Sequence, residues 1–254
     1  MLIVNTYKNP PMKLIKLDAI DSTNDFLKGL SQKENLENYT VVTTKSQTKG
    51  KGQMGSNWAS EDNKNLITSI LIKNTIININ EIFNLNIVVA VSIVQVLNDL
   101  KITNLNIKWP NDIMAENKKI AGILIENSIK ENGKIESIVG IGLNVNQTNF
   151  DNLPKASSLK NVMHQDFDID TLLENIVIKI ENNIEKLKNN EIDSFWNEYE
   201  NYLFKKGKPT LFEDANQQRF MGIINGVNRN GQLEVLLEDD SVNFFEVKEI
   251  MMIY

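Results

Sequence analysis

The sequence predicts an α+β fold in which a mixed or antiparallel sheet packs on helices and a small β-barrel lies at the C-terminal end. Three observations carry it. Between residues 80 and 100, Ile82, Leu85, Val89, Ile93, Val96, Leu97 and Leu100 recur at three- and four-residue steps, the spacing of a core helix. From 107 to 145, apolar runs are separated by short turn signals, the pattern of an antiparallel meander. From 208 onward the chain reads as short strands and turns: PTLFE, RFMGIINGV, a turn over 228–231, QLEVLLE and NFFEVKEIMMIY.

In chain order, residues 13–17 form an edge strand. In DSTNDFLKGL, Ser22 or Thr23 caps a helix whose Phe26, Leu27 and Leu30 share a face. The β-branched run 39–44 and the apolar run 66–72 are strands, and Asn80 caps the long helix. A strand over 107–109 is stopped by Pro110, while 113–115 turns through Glu116-Asn117 into KIAGILIENS. A second turn, Glu131-Asn132-Gly133, leads into 134–145. Helices follow over 170–188, with Leu172, Ile176, Ile180, Ile184 and Leu187 on one side, and over 192–203. Lys205-Lys206-Gly207 then marks a boundary between a domain over 1–204 and a barrel domain over 205–254, too small for a catalytic unit of its own.

Bulk properties remove several function classes. With 254 residues the chain can bury a sizeable core, and a net charge of -6 argues against general nucleic-acid affinity. The absence of cysteine excludes disulfides, thiolate catalysis and thiolate metal sites. A single histidine, His164 in the polar text MHQDFDID, leaves little for a zinc site or a Ser-His-Asp triad, so no metal site is expected. No secretory leader and no uninterrupted membrane-length apolar run is evident, which predicts a cytoplasmic location without a membrane partner.

Four loops at strand ends are candidates for chemistry. Ser22-Thr23-Asn24 offers hydroxyl and amide groups to a polar uncharged ring such as a ureido group, or is a plain helix cap. The loop QTKGKGQMGSNW, 47–58, invites close backbone approach and, through Lys49 and Lys51, an anion; an ordinary surface turn is the alternative. KWPND at 108–112 presents Asn111 and Asp112 after a strand-breaking proline, or is a common Pro-Asn-Asp turn. In KKIAGILIE, strict alternation puts Lys119 on the face of Ala121 and Ile123, where an ammonium either serves a ligand or snorkels. Gly140 and Gly142 leave a strand flat where a ligand or another backbone can lie.

Taken together and in order, DSTN, SQTKGKGQMGSNW, NLITSILI, IKWPNDIMAENKKIAGILIE, IVGIGLNVN and ASSL resemble the catalytic domain of the biotin protein ligases, the biotin-[acetyl-CoA-carboxylase] ligase family. The resemblance covers nearly the whole chain, since an SH3-like C-terminal barrel is also a family trait, and KWPND followed by K-x-A-G-I-L is its most specific part. It implies a class II synthetase-like domain and a two-step reaction. Biotin and ATP give biotinyl-5'-AMP and pyrophosphate, and a lysine of a biotin carboxyl carrier domain then takes the biotinyl group. By the resemblance, Ser22, Thr23 and Asn24 line the biotin head group, and Gln47 with the backbone of Gly50, Lys51 and Gly52 borders its tail. Lys119 stands between carboxylate and α-phosphate, Lys51 joins it in catalysis, and Asp112 orients or deprotonates the incoming amine. Gln53, Trp58, Asn111, Gly122, Gly142 and Asn144 complete the nucleotide side, and magnesium neutralises the leaving pyrophosphate. The glycine loop is implied to be a lid over the acyl-adenylate.

Two departures stand out. The family loop reads G-R-G-R-x-G-R-x-W, whereas here Lys51, Gln53 and Ser56 replace its arginines, so a weaker hold on the adenylate is expected. Only about twelve residues precede the catalytic text, too few for a helix-turn-helix, which predicts a ligase without a DNA-binding role. Two alternatives remain: a lipoate or octanoate ligase or transferase on the same fold, whose R-R-x-S-G-G-G-type segment is absent here, and a binding module without turnover, against which Lys119 argues. Either a monomer or a homodimer is expected, the dimer through an exposed sheet edge beside IENSIK and KIESIVG.

Overall fold

A computed structural model describes residues 3–7, 12–75, 81–130 and 133–254. Asn80, expected to cap the long helix, and Glu131-Asn132 of the second turn lie outside the described residues. The large sheet contains β1 (Ile3–Tyr7), β2 (Met12–Ile20), β3 (Val41–Gln47), β4 (Leu66–Lys73), β5 (Leu105–Lys108), β6 (Asp112–Ala115), β7 (Lys118–Ile129) and β8 (Ile135–Leu143). These eight strands run in the order β1-β2-β3-β4-β8-β7-β6-β5. Only β2 and β3 are parallel, because helix α1 (Thr23–Lys33) crosses over between them; the remaining pairs are antiparallel, so the sheet is mixed. The meander expected from 107 to 145 is β5-β6-β7-β8, and Glu116 and Asn117 both adopt positive φ (49° and 63°) in its first hairpin turn.

Helix α2 (Ile82–Asp99) is buried nearly all round, since it lies between the sheet on one side and α4 (Ile169–Lys188) and α5 (Ile192–Asn201) on the other. Its mean hydropathy of 1.6 over 18 residues would suit a membrane span by composition alone, but here that apolarity fills the core. The polar side chains facing α4 are satisfied: Asn183 Nδ2 donates to Ser92 Oγ and to Gln95 Oε1, both at 2.9 Å. Ile93 is fully buried at the centre of this layer. Ile93→Ala is therefore expected to lower unfolding free energy by about 2–5 kcal/mol, read as a shifted urea midpoint with an unchanged slope.

A short helix absent from the sequence expectations, α3 (Leu159–Met163), is capped by Ser158, whose side chain accepts from Asn161 N. His164 ends it in the left-handed region (φ 56°). The C-terminal strands are β9 (Pro209–Asp214), β10 (Arg219–Val227), β11 (Leu233–Leu237), β12 (Val242–Phe245) and β13 (Ile250–Ile253). They form a five-stranded antiparallel sheet in the order β12-β11-β10-β9-β13, so the expected C-terminal β-domain is present, with no pairing of β12 to β13 that would close it into a barrel among the described residues. Phe212, Ile224, Leu233 and Val235 belong to the same apolar cluster as α2, and Trp109 Nε1 donates to Gly231 O at 2.8 Å.

The dimer edge expected beside KIESIVG needs correction. β8 is paired on both sides, with β4 and β7. Because β6 ends at the pair Asp112 with Gly122, the unpaired edge is confined to the distal half of β7, beside IENS.

Candidate active site

The exits of β2, β3 and β5 and the starts of β6 and β7 converge, with one edge of the C-terminal sheet, on a cavity of about 660 Å³. Its wall includes Thr23, Gln47, Trp58, Asp112, Lys119 and Gly142.

The Ser-Thr-Asn corner divides its labour. Ser22 is the N-cap of α1, its Oγ accepting from Asp25 N, and it also lines the cavity. Thr23 and Asn24, in the first turn, are buried and face the cavity. Gln47 Oε1 accepts from Thr23 N at 2.7 Å, and the Ser69 hydroxyl lies 2.8 Å from Thr23 Oγ1 and 2.6 Å from Asn24 Oδ1. Asn24 Nδ2 donates to Glu126 Oε2 at 2.8 Å. Ser69 and Glu126 complete this network and were missed from the sequence, because each lies inside an apolar strand that carries no motif of its own.

The glycine loop is a small hairpin. Lys51 pairs with Asn57, Trp58 N donates to Gly50 O at 2.9 Å, and a 3-10 turn, Gln53–Gly55, forms the tip. Its glycines serve the loop itself: a Cβ on Gly50 would stand 2.3 Å from the Trp58 carbonyl oxygen, so the close approach comes from the opposite arm of the hairpin, where the sequence suggested a ligand. Both loop lysines are engaged by carboxylates, Lys49 Nζ with Asp21 at 2.7 Å and Lys51 Nζ with Asp25 at 2.6 Å. These partners push the lysine pKa values upward and leave Lys51 a neutralised cation at the cavity rim.

Lys119 faces the cavity by a route that alternation does not give. Ile113 pairs with Ala121 but Met114 pairs with Lys119, so Ile120 is an extra residue, a bulge. That bulge moves Lys119 off the face of Ala121 and Ile123 and sets it over Gly122, where an added Cβ would lie 3.3 Å from Nζ. The ammonium is 2.6 Å from Asp112 Oδ1 and 5.5 Å from the centroid of the Trp58 ring, with the side chain 35% exposed. Trp58 in turn fills the flat surface left by Gly142, where a Cβ would come within 2.4 Å of the indole. Its Nε1 is buried and has no acceptor among the described residues.

The model of the biotin/lipoate A/B protein ligase family matches residues 17–146, which contain this entire side of the cavity. The chain belongs to that family. A bifunctional ligase/repressor BirA from Bacillus spizizenii is 33% identical over 138 residues, covering 54% of this chain and 42% of the relative. The Escherichia coli protein of the same description is 24% identical over 233 residues, covering 89% and 69%. This chain thus spans less than half the length of the first curated relative it matches. Among solved structures, the biotin protein ligase from Aquifex aeolicus in complex with biotin and ATP superimposes with a TM-score of 0.78 at 26% identity, covering 94% of this chain and 98% of that one.

In this biotin/lipoate ligase family member, two further candidates are structural in their observed contacts. Asn111 Nδ2 donates to Ile123 O at 2.5 Å and Ile123 N donates back to Asn111 O, which extends the β6–β7 pairing past Asp112. Asn144 lies outside the cavity lining, as does Gly50; it is buried, and its Nδ2 donates to Ser157 O at 2.9 Å. Lys108 lines the cavity and carried no role in the sequence expectations.

The C-terminal sheet touches the loop directly. Lys248 Nζ, on a residue with φ 73°, donates to Met54 O at 2.5 Å across 194 positions of sequence. Lys248→Met is expected to speed amide exchange of residues 53–56 a few-fold while β4 and β8 keep their protection. Unchanged exchange at the tip would show that the loop holds itself.

Proposed function

We propose that this protein is a biotin protein ligase that activates biotin with ATP and transfers it to a lysine of a biotin carboxyl carrier domain, as a biotin-[acetyl-CoA-carboxylase] ligase. The observation that carries the reading is Lys119: its ammonium lies under Trp58, paired with Asp112, in the same cavity as the Thr23-Asn24-Gln47 network. That network presents a hydroxyl and two amides, with Glu126 holding the Asn24 amide from outside the cavity lining, to a polar uncharged head group, the chemistry a ureido ring needs. The carboxylate tail then runs along Gln47 and the Lys51–Gly52 part of the loop toward Lys119. In the first step a biotin carboxylate oxygen attacks the α-phosphorus, the bond to the β-phosphate oxygen breaks, and that oxygen leaves with the electron pair. Lys119, held by Asp112, stabilises the negative charge on the phosphoryl oxygens. In the second step a carrier lysine amine attacks the acyl carbon and AMP departs, with Asp112 orienting the amine.

Trp58, Gly122 and Gly142 form the nucleotide wall, with the unpartnered indole N–H as a donor, and Asn111, Asn144 and Gln53 support it. Magnesium, carried with ATP, would neutralise the charge of the leaving pyrophosphate. The protein works in the cytoplasm, with residues 1–204 as the catalytic domain and 205–254 as a second domain that closes one side of the cavity. Pyrophosphate release from MgATP should depend on added biotin and not respond to lipoate. Release driven by lipoate alone, or by neither acid, would contradict the assignment.

A further inference from the structure

We propose that Lys108 is a second cation of the nucleotide site and holds the pyrophosphate as it leaves; this rests on the ligase reading above. Lys108 is the last residue of β5, and its Cα is in register with that of Asp112, so both side chains stand on the cavity side of the sheet. Among the described residues its ammonium has no carboxylate at ion-pair distance; it lies over the Tyr254 ring, with Nζ 5.1 Å from the centroid. Of the other cations that line the cavity, Lys51 and Lys119 each lie 2.6 Å from a carboxylate, Asp25 and Asp112, and Lys248 donates to Met54 O, while Lys49 in the glycine loop lies 2.7 Å from Asp21. Behind Lys108, Lys155 places a further ammonium 4.4 Å from the same ring centroid.

This is an unfavourable place for an unpaired positive charge. Burial pushes the Lys108 pKa down, Asp112 pulls it up, and Lys119 and Lys155 push it down again by like-charge repulsion. A half-buried ammonium among like charges weakens the free protein and is relieved when a polyanion arrives. The reaction supplies one. As the bond from the α-phosphorus to the bridging oxygen breaks, that oxygen takes the electron pair and charge accumulates on the departing pyrophosphate. Lys119, on β7, is placed for the phosphorus, and Lys108, two strands further along the wall on β5, for the leaving group. The loop of this chain brings neither arginine nor an uncommitted lysine to that task, so the strand wall provides the charge.

Lys108→Met keeps the apolar stem against Tyr254 and removes the charge, and its thermal midpoint should equal or exceed that of the wild type. Calorimetric affinity of the full chain for inorganic pyrophosphate should fall about 10- to 100-fold, and kcat/KM for ATP in biotin-dependent pyrophosphate release should fall comparably. Transfer from chemically prepared biotinyl-5'-AMP, which carries neither β- nor γ-phosphate, should stay within about twofold, and Lys108→Arg should retain most of the pyrophosphate affinity. Unchanged pyrophosphate affinity in Lys108→Met, or equal losses in both half-reactions, would overturn the assignment. A wild-type protein that binds pyrophosphate yet releases none from ATP with biotin would refute the ligase reading and leave Lys108 as a polyanion site. A wild-type protein that turns over while Lys108→Met matches it would do the reverse.

Discussion

Lys119→Ala is expected to slow biotin-dependent pyrophosphate release by about two to three orders of magnitude, with the KM for biotin changed far less. The reasoning is positional. The ammonium stands beside Asp112 and Trp58 and over Gly122, whereas Asn24 packs on Gly140, so on the proposed ligase reading Lys119 serves the phosphoryl group and the Asn24 corner the biotin ring. Its stability cost should be small, about 1 kcal/mol, because both members of the pair retain access to water. Stopped-assay pyrophosphate detection together with a urea melt separates the two effects. Near-normal turnover in a folded variant would remove Lys119 from the chemistry.

Gly140→Ala should act at the other end of the cavity. A Cβ at that position would lie 2.4 Å from Asn24 Oδ1, and Asn24 has little room to retreat: its amide is fixed to Glu126 Oε2 at 2.8 Å and its oxygen lies 2.6 Å from Ser69 Oγ. One methyl group therefore breaks a buried network from below without touching the nucleotide side. Losing one or both of these hydrogen bonds, of which the one to Glu126 is charge-assisted, predicts a rise of about 10- to 100-fold in the KM for biotin, while the KM for ATP stays near its original value. Equal changes in both constants would show that the corner does not belong to biotin alone.

Much of this fold is legible because its signals are local and repeated. The apolar spacing of α2 reflects burial, and the Glu116-Asn117 turn reflects a left-handed backbone that asparagine tolerates. The site was legible as a set of loops but less so as geometry. Strict alternation assigns Lys119 the wrong neighbours because a one-residue bulge at Ile120 is a pairing event between two strands, with no mark in either strand alone. The loop glycines suggested a ligand approaching, whereas Gly50 accommodates the carbonyl of Trp58 eight positions later in the same hairpin. Ser69, Glu126, Lys108 and Lys248 owe their importance to neighbours 45 to 194 positions away, or to a register partner and a ring at the far end of the chain. No sequence window spans such distances.

The most direct test is mass spectrometry of a biotin carboxyl carrier domain after incubation with this chain, biotin and MgATP. The proposed ligase adds one biotinyl mass to one carrier lysine, and omission of ATP prevents it. An unmodified carrier in the complete mixture, with the chain folded and the carrier competent for a known ligase, would contradict the account.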